Sequence, residues 1–145
     1  MHRFLLAFTA LVGATEVAHA DSRFFCSADD KNVRFTVESG FKAENGHVLN
    51  HFRGALILKN ETAPQPLGRI DLDSDSLTNH WSHNGELRLE VLYDGGKAAG
   101  GQTANLIVSA EQRNNAKAFA GTYELAIEGG TAPQAFNGKV SCGSK

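Results

Sequence analysis

Cys26 and Cys142 are the chain's two cysteines, and they lie near opposite ends of a 145-residue sequence. In an oxidising compartment two such cysteines pair, and the bridge ties the body of the protein end to end. A redox pair is the competing use, but the C-x-x-C spacing is missing and nothing beside either residue points to a lowered thiol pKa. The loop so closed exceeds a hundred residues, for which chain-entropy arguments give about 4–5 kcal/mol. Both cysteines are therefore expected to be structural.

The oxidising compartment has its own signal. Arg3 supplies a positive charge, Phe4 to Ala14 form a mostly apolar run, and Ala18-His19-Ala20 has the small-x-small pattern of a signal-peptidase site. Residues 1–20 read as a cleaved secretory leader, leaving 21–145 as a single domain in the periplasm or outside the cell. A spanning helix needs about 20 apolar residues; this run has roughly half, with Glu16 close behind, and no later segment is apolar enough to span. Lipid attachment is not expected either, because Cys26 follows Arg23-Phe24-Phe25 rather than small residues at a mature N-terminus.

A formal charge of −2 with mixed signs and no basic run excludes a phosphate-backbone binder and an electrostatic membrane-surface binder. Nucleic acid is not an expected partner.

The body reads as β throughout. Val33, Phe35 and Val37 alternate with Arg34, Thr36 and Glu38; Leu87, Leu89 and Val91 alternate with Arg88 and Glu90. Ala104, Leu106 and Val108 form a third such row, broken by Ile107, and Tyr123, Leu125 and Ile127 a fourth. Phe24 to Ser27, Val48 to Lys59, Gly68 to Asp73 and Ala135 to Cys142 are further strands. Asn45-Gly46 and Asn84-Gly85 read as hairpin turns, because both residues tolerate positive φ. Gly96 to Gly101 reads as a mobile loop, and Ser74 to Trp81 as a place for one helical turn with a Ser or Asp cap. The expected fold is all-β: an antiparallel barrel or sandwich of about eight strands, closed by one disulfide.

Phe52-Arg53-Gly54-Ala55-Leu56, Phe119-Ala120-Gly121-Thr122-Tyr123 and Phe136-Asn137-Gly138-Lys139-Val140 share the pattern Phe-x-Gly-x-apolar. On a strand this places an aromatic, a gap and an apolar residue on one inner face. The bare glycine lets a ring lie over backbone or lets the strand bend, as curved sheets require. The Phe119 segment resembles the strand pattern of avidin-like barrels over a few residues. Biotin pockets of that family rely on several tryptophans and this chain has only Trp81, so the resemblance implies no biotin site here. Small bacterial lysozyme inhibitors are similar in size, export and disulfide, but their Ser-Gly loop motif is not recognisable.

Asp71 to His83 is the most unusual stretch. Asp71, Asp73 and Asp75 would share a face if the strand continued, which makes them candidate metal ligands. The EF-hand pattern fails, with Ser76 at the sixth position and Ser82 at the twelfth. His80 and His83 flank Trp81, and these three are the candidate binding residues. With His47 and His51 the two histidines would make a zinc or copper site if the segments met. His47 and His51 cannot share one metal in an extended strand, where they stand about 13 Å apart. Arg69 and Arg88 are the nearest basic groups for the acidic stretch. No catalytic motif is present, and no cofactor is expected. Asn60-Glu61-Thr62 matches a glycosylation sequon.

The sequence thus predicts a small exported, non-enzymatic protein that binds a protein or envelope component through loops on a rigid β scaffold. One alternative is a barrel for a small apolar ligand, which requires an open interior. The other is a metal-binding or enzymatic module centred on Asp71 to His83.

Overall fold

The structure, a computed structural model, describes residues 23–42, 45–59, 67–114 and 117–144, with the backbone alone at 42 and 45–48. The expected leader at 1–20, the sequon match at 60–62 and the His47 side chain lie outside the described residues. Nine strands follow in chain order: β1 (Arg23–Asp29), β2 (Val33–Lys42), β3 (Asn45–Leu58), β4 (Arg69–Leu72), β5 (Leu77–His83), β6 (Glu86–Asp94), β7 (Thr103–Gln112), β8 (Ala118–Glu128) and β9 (Gln134–Ser144). They form one sheet in the order β4-β3-β2-β1-β9-β8-β7-β6-β5, with every neighbouring pair antiparallel.

Strand direction explains why nine strands make eight staves. Stepping through antiparallel pairs from β1 in both directions gives β4 and β5 the same direction. They follow one another in the chain, joined by a 3-10 turn at Ser74–Ser76. β4 pairs with β3 and β5 with β6, while β3 also approaches β5. β4 and β5 therefore act as successive halves of one interrupted stave in a curled, up-and-down barrel.

The first and last staves meet in register. Cys26 lies directly opposite Cys142 in the β1–β9 ladder, and the two are bridged. Both are buried among the core residues, so the bridge lies on the inner face.

The alternating residues point as the sequence predicts. Val33, Phe35 and Val37, with Leu87, Leu89 and Val91, face one continuous core. The rings of Phe35 and Tyr123 meet edge to face at 5.3 Å, a favourable aromatic geometry. Ile107 breaks the alternation because it lies on the outer wall, where it stays exposed.

All three Phe-x-Gly-x-apolar segments place the motif on the inner face. A Cβ at Gly121 would overlap the Ser109 carbonyl and the Ala110 backbone; one at Gly54 would lie 2.5 Å from the Thr36 oxygen and 2.8 Å from a Val37 methyl. At these two positions neighbouring strands approach more closely than a side chain allows. Gly138 serves the other purpose, leaving room for the Tyr123 ring.

Several sequence expectations are corrected. Asn45 already pairs with Lys42, so Asn45-Gly46 opens β3 rather than making the turn. Within the stretch read as a loop, Gly96–Ala99 is a 3-10 turn that buries Ala99 and ends on left-handed Gly100. Ser74 to Trp81 holds the expected capped turn only at Ser74–Ser76, after which Leu77–His83 is a strand. Asn84-Gly85 does make a two-residue hairpin, with φ of 50° and 78°.

Candidate functional site

Three parts of the surface carry the residues in question. The first is the acidic stretch. Its three carboxylates do not converge, because the strand stops at Leu72. Asp73 becomes the N-cap of the 3-10 turn, where Oδ1 accepts from the Asp75 and Ser76 amides at 3.0 and 3.2 Å. This satisfies backbone donors that the turn leaves unpaired. Asp71 pairs with Arg69 at 3.0 Å, and Asp75 faces solvent. Among the described residues no group of three or more His, Cys, Asp or Glu side chains stands together as a metal site. Arg88 is not beside the acidic stretch; it lies opposite Trp81 and Ser109.

The second is the outer wall of β5, β6 and β7. Trp81 is 45% exposed there, with its ring 6.1 Å from that of His83. Asn79, Trp81, Arg88, Glu90 and Ile107 surround a shallow depression of about 230 Å³. His80 also lines it, and is only half-buried. All three candidate binding residues lie on β5, but only Trp81 and His83 are on the outer wall; His80 pairs with the buried Leu89 and belongs to the opposite face.

The third was not legible in the sequence. On the outer wall of β1, β2 and β3 the register sets Phe25 opposite Glu38 and Glu38 opposite Arg53, with Ser27, Thr36 and Ala55 in the next row. The second row is made of small side chains, so a groove of about 490 Å³ opens above it, bounded by Phe25 and by the Glu38–Arg53 pair. Its floor is backbone at Cys26, Val37 and Gly54. Arg53 grips Oε1 of Glu38 through Nε and Nη2. Below this ion pair is a second depression of about 310 Å³, lined by Arg23, Glu38, Ser39, His51 and Arg53.

A β-bulge shapes the lower depression. Glu38 pairs with Arg53 but Gly40 pairs with Asn50, so Ser39 faces two residues, His51 and Phe52. His51 takes up the extra residue at φ 56°, a left-handed conformation uncommon outside glycine. The bulge resets the alternation, so Leu49 and Phe52 both pack on the core while His51 is turned outward. The buried Ser39 hydroxyl donates to the Asn50 carbonyl at 3.0 Å.

The barrel interior, by contrast, is occupied by side chains. Tyr123, Phe24, Phe35, Leu56, Leu89 and Leu106 are among those fully buried there.

No protein-family model matches this chain, and no curated protein matches it at a significant level. Among solved structures it is similar to the crystal structure of a rhizavidin–biotin complex, at 12% identity and a TM-score of 0.43, over 90% of this chain and 97% of that one. Biotin binding is a property of rhizavidin.

Proposed function

We propose that this chain is a small β-barrel binding protein that takes a small molecule with an apolar body in the outer groove over β1, β2 and β3. The groove itself carries this reading: about 490 Å³, within the ~300–1,000 Å³ range of small-molecule sites. A packed interior leaves the outer wall as the place for such a ligand. The Phe25 ring and the Ala55 methyl supply apolar contact area, and the small Ser27, Thr36 and Ala55 leave the space. Export by the leader at residues 1–20 belongs to the same proposal, since the disulfide needs an oxidising compartment to persist.

A second reading keeps a protein or envelope component as the partner, at the wall where Trp81 and Ile107 are exposed. One titration separates the two. With n-octanol as probe, amide NMR shifts should move at Thr36, Ala55 and Phe25, and Thr36→Tyr, which fills the groove, should weaken binding about tenfold. Shifts confined to Trp81 and Ile107 would transfer the site to the other wall and favour the second reading.

A further inference from the structure

The groove over β1–β3 does not end at the Glu38–Arg53 pair. That pair is shared by both depressions, so an apolar compartment and a polar one adjoin across a single ion pair. The polar compartment is lined by the guanidinium groups of Arg23 and Arg53 against one carboxylate, Glu38. His51 and Ser39 complete the lining. This leaves net positive charge at one end of an apolar groove, on a protein whose formal charge is −2.

Resting on the groove reading above, we propose that the ligand is a free single-chain anionic amphiphile. Its hydrocarbon chain lies over Ser27, Thr36 and Ala55, and its carboxylate enters the compartment of Arg23 and Arg53. Arginine suits this role, because its planar fork matches a carboxylate and holds its charge at every physiological pH. Glu38 acts as the occupant of Arg53 that the incoming carboxylate must displace. The bulge at His51 keeps an imidazole on the same outer face, at a backbone conformation of the kind that clusters at ligand sites.

The test uses three probes with one chain and three heads: octanoate, n-octanol and octyltrimethylammonium, titrated against the folded full-length mature protein by calorimetry. Octanoate should bind about tenfold tighter than either other probe, as expected of charge-assisted hydrogen bonds. Arg23→Gln, which lines the polar compartment alone, should erase most of that preference while n-octanol affinity is unchanged, and Arg53→Gln, on the boundary of both compartments, should erase the preference as well. Glu38→Gln should tighten octanoate several-fold, because it releases Arg53, an effect that loss of fold would not produce. These positions face solvent, so melting temperatures should stay near wild type. Equal binding of all three probes would overturn this inference and leave the groove standing. Binding of none would overturn the groove reading itself. Binding to phosphatidylglycerol vesicles without binding to free octanoate would assign the basic patch to a membrane surface and likewise overturn it.

Discussion

Asp30 and Tyr123 meet across Gly138, whose missing side chain is the condition for their contact. A Cβ there would lie 2.7 Å from both the Asp30 carboxylate and the Tyr123 ring. The Tyr123 hydroxyl donates to Asp30 Oδ2, and Asp30 Oδ1 accepts from the Asn32 and Val33 amides at 2.8 and 2.9 Å. Burial alone would push the Asp30 carboxyl up. The Tyr123 hydroxyl, those two amides and the nearby Lys59 outweigh it and hold the carboxyl below its ordinary 3.8. Burial, then the hydrogen bond and charge of Asp30, push the Tyr123 phenol well above its ordinary 10.0. A depressed carboxyl gives stability that is present above 3.8 and lost as pH falls through its folded value. A raised phenol gives stability that is present below 10.0 and lost as pH climbs through its folded value. Tyr123→Phe should therefore cost about 2 kcal/mol at neutral pH and move acid unfolding to higher pH. It should also remove the alkaline transition that accompanies tyrosinate absorbance. Thermal melts across pH check all three effects, and an unchanged acid limb would show that Tyr123 does not hold Asp30 down.

At the scale of elements, the strands that bury one face were legible and the strand that buries little was not. β2, β6, β7 and β8 show their alternation because each inward residue enters the core. β5 reads Leu-Thr-Asn-His-Trp-Ser-His, with only partial burial along its length. Among the described residues it has a ladder with β6 alone, and it carries its tryptophan outward, so period-two hydrophobicity never appears. The bulge at His51 left no mark in the sequence either, since nothing local requires a histidine to take positive φ there. The groove was out of reach for a different reason. Ser27, Thr36 and Ala55 become neighbours only through register, and a depression made by small side chains has no motif. The glycine motif, however, was readable, and it supports a test. Gly121→Ala forces a methyl into the Ser109–Ala110 backbone, which only strand displacement can relieve. The expected loss is about 3 kcal/mol, the upper end of overpacking penalties. Ala120→Gly, one residue away and on the outer face, should cost only about 1 kcal/mol. Chemical denaturation of the two variants compares them directly; equal losses would mean that β7 and β8 approach no more closely at Gly121 than elsewhere.

For the molecule as a whole, closure depends on the junction of the first and last staves. The β1–β9 ladder runs only from Phe24↔Ser144 to Ser27↔Ser141, whereas the β7–β8 ladder extends from Thr103↔Glu128 to Gln112↔Phe119. The joint that the disulfide clasps, across a sequence separation of 116, is thus one of the two shortest ladders of the sheet, equal in length to that between β3 and β4. Without the bridge the unfolded chain regains the freedom of that long loop, and the junction is left to a few hydrogen bonds. Replacing both residues in Cys26→Ala/Cys142→Ala should therefore lower stability by about 4 kcal/mol, with β1 and β9 amides gaining the largest increase in hydrogen exchange. Uniform acceleration over all strands would mean instead that the bridge acts on the unfolded chain alone, and that the junction is no weaker than the rest of the wall. Under the export proposed above, the protein purified from its native cell should have the intact mass of residues 21–145 less two hydrogens. Retention of residues 1–20 would remove export from the proposal, and would leave the bridge to form in whatever compartment the chain occupies.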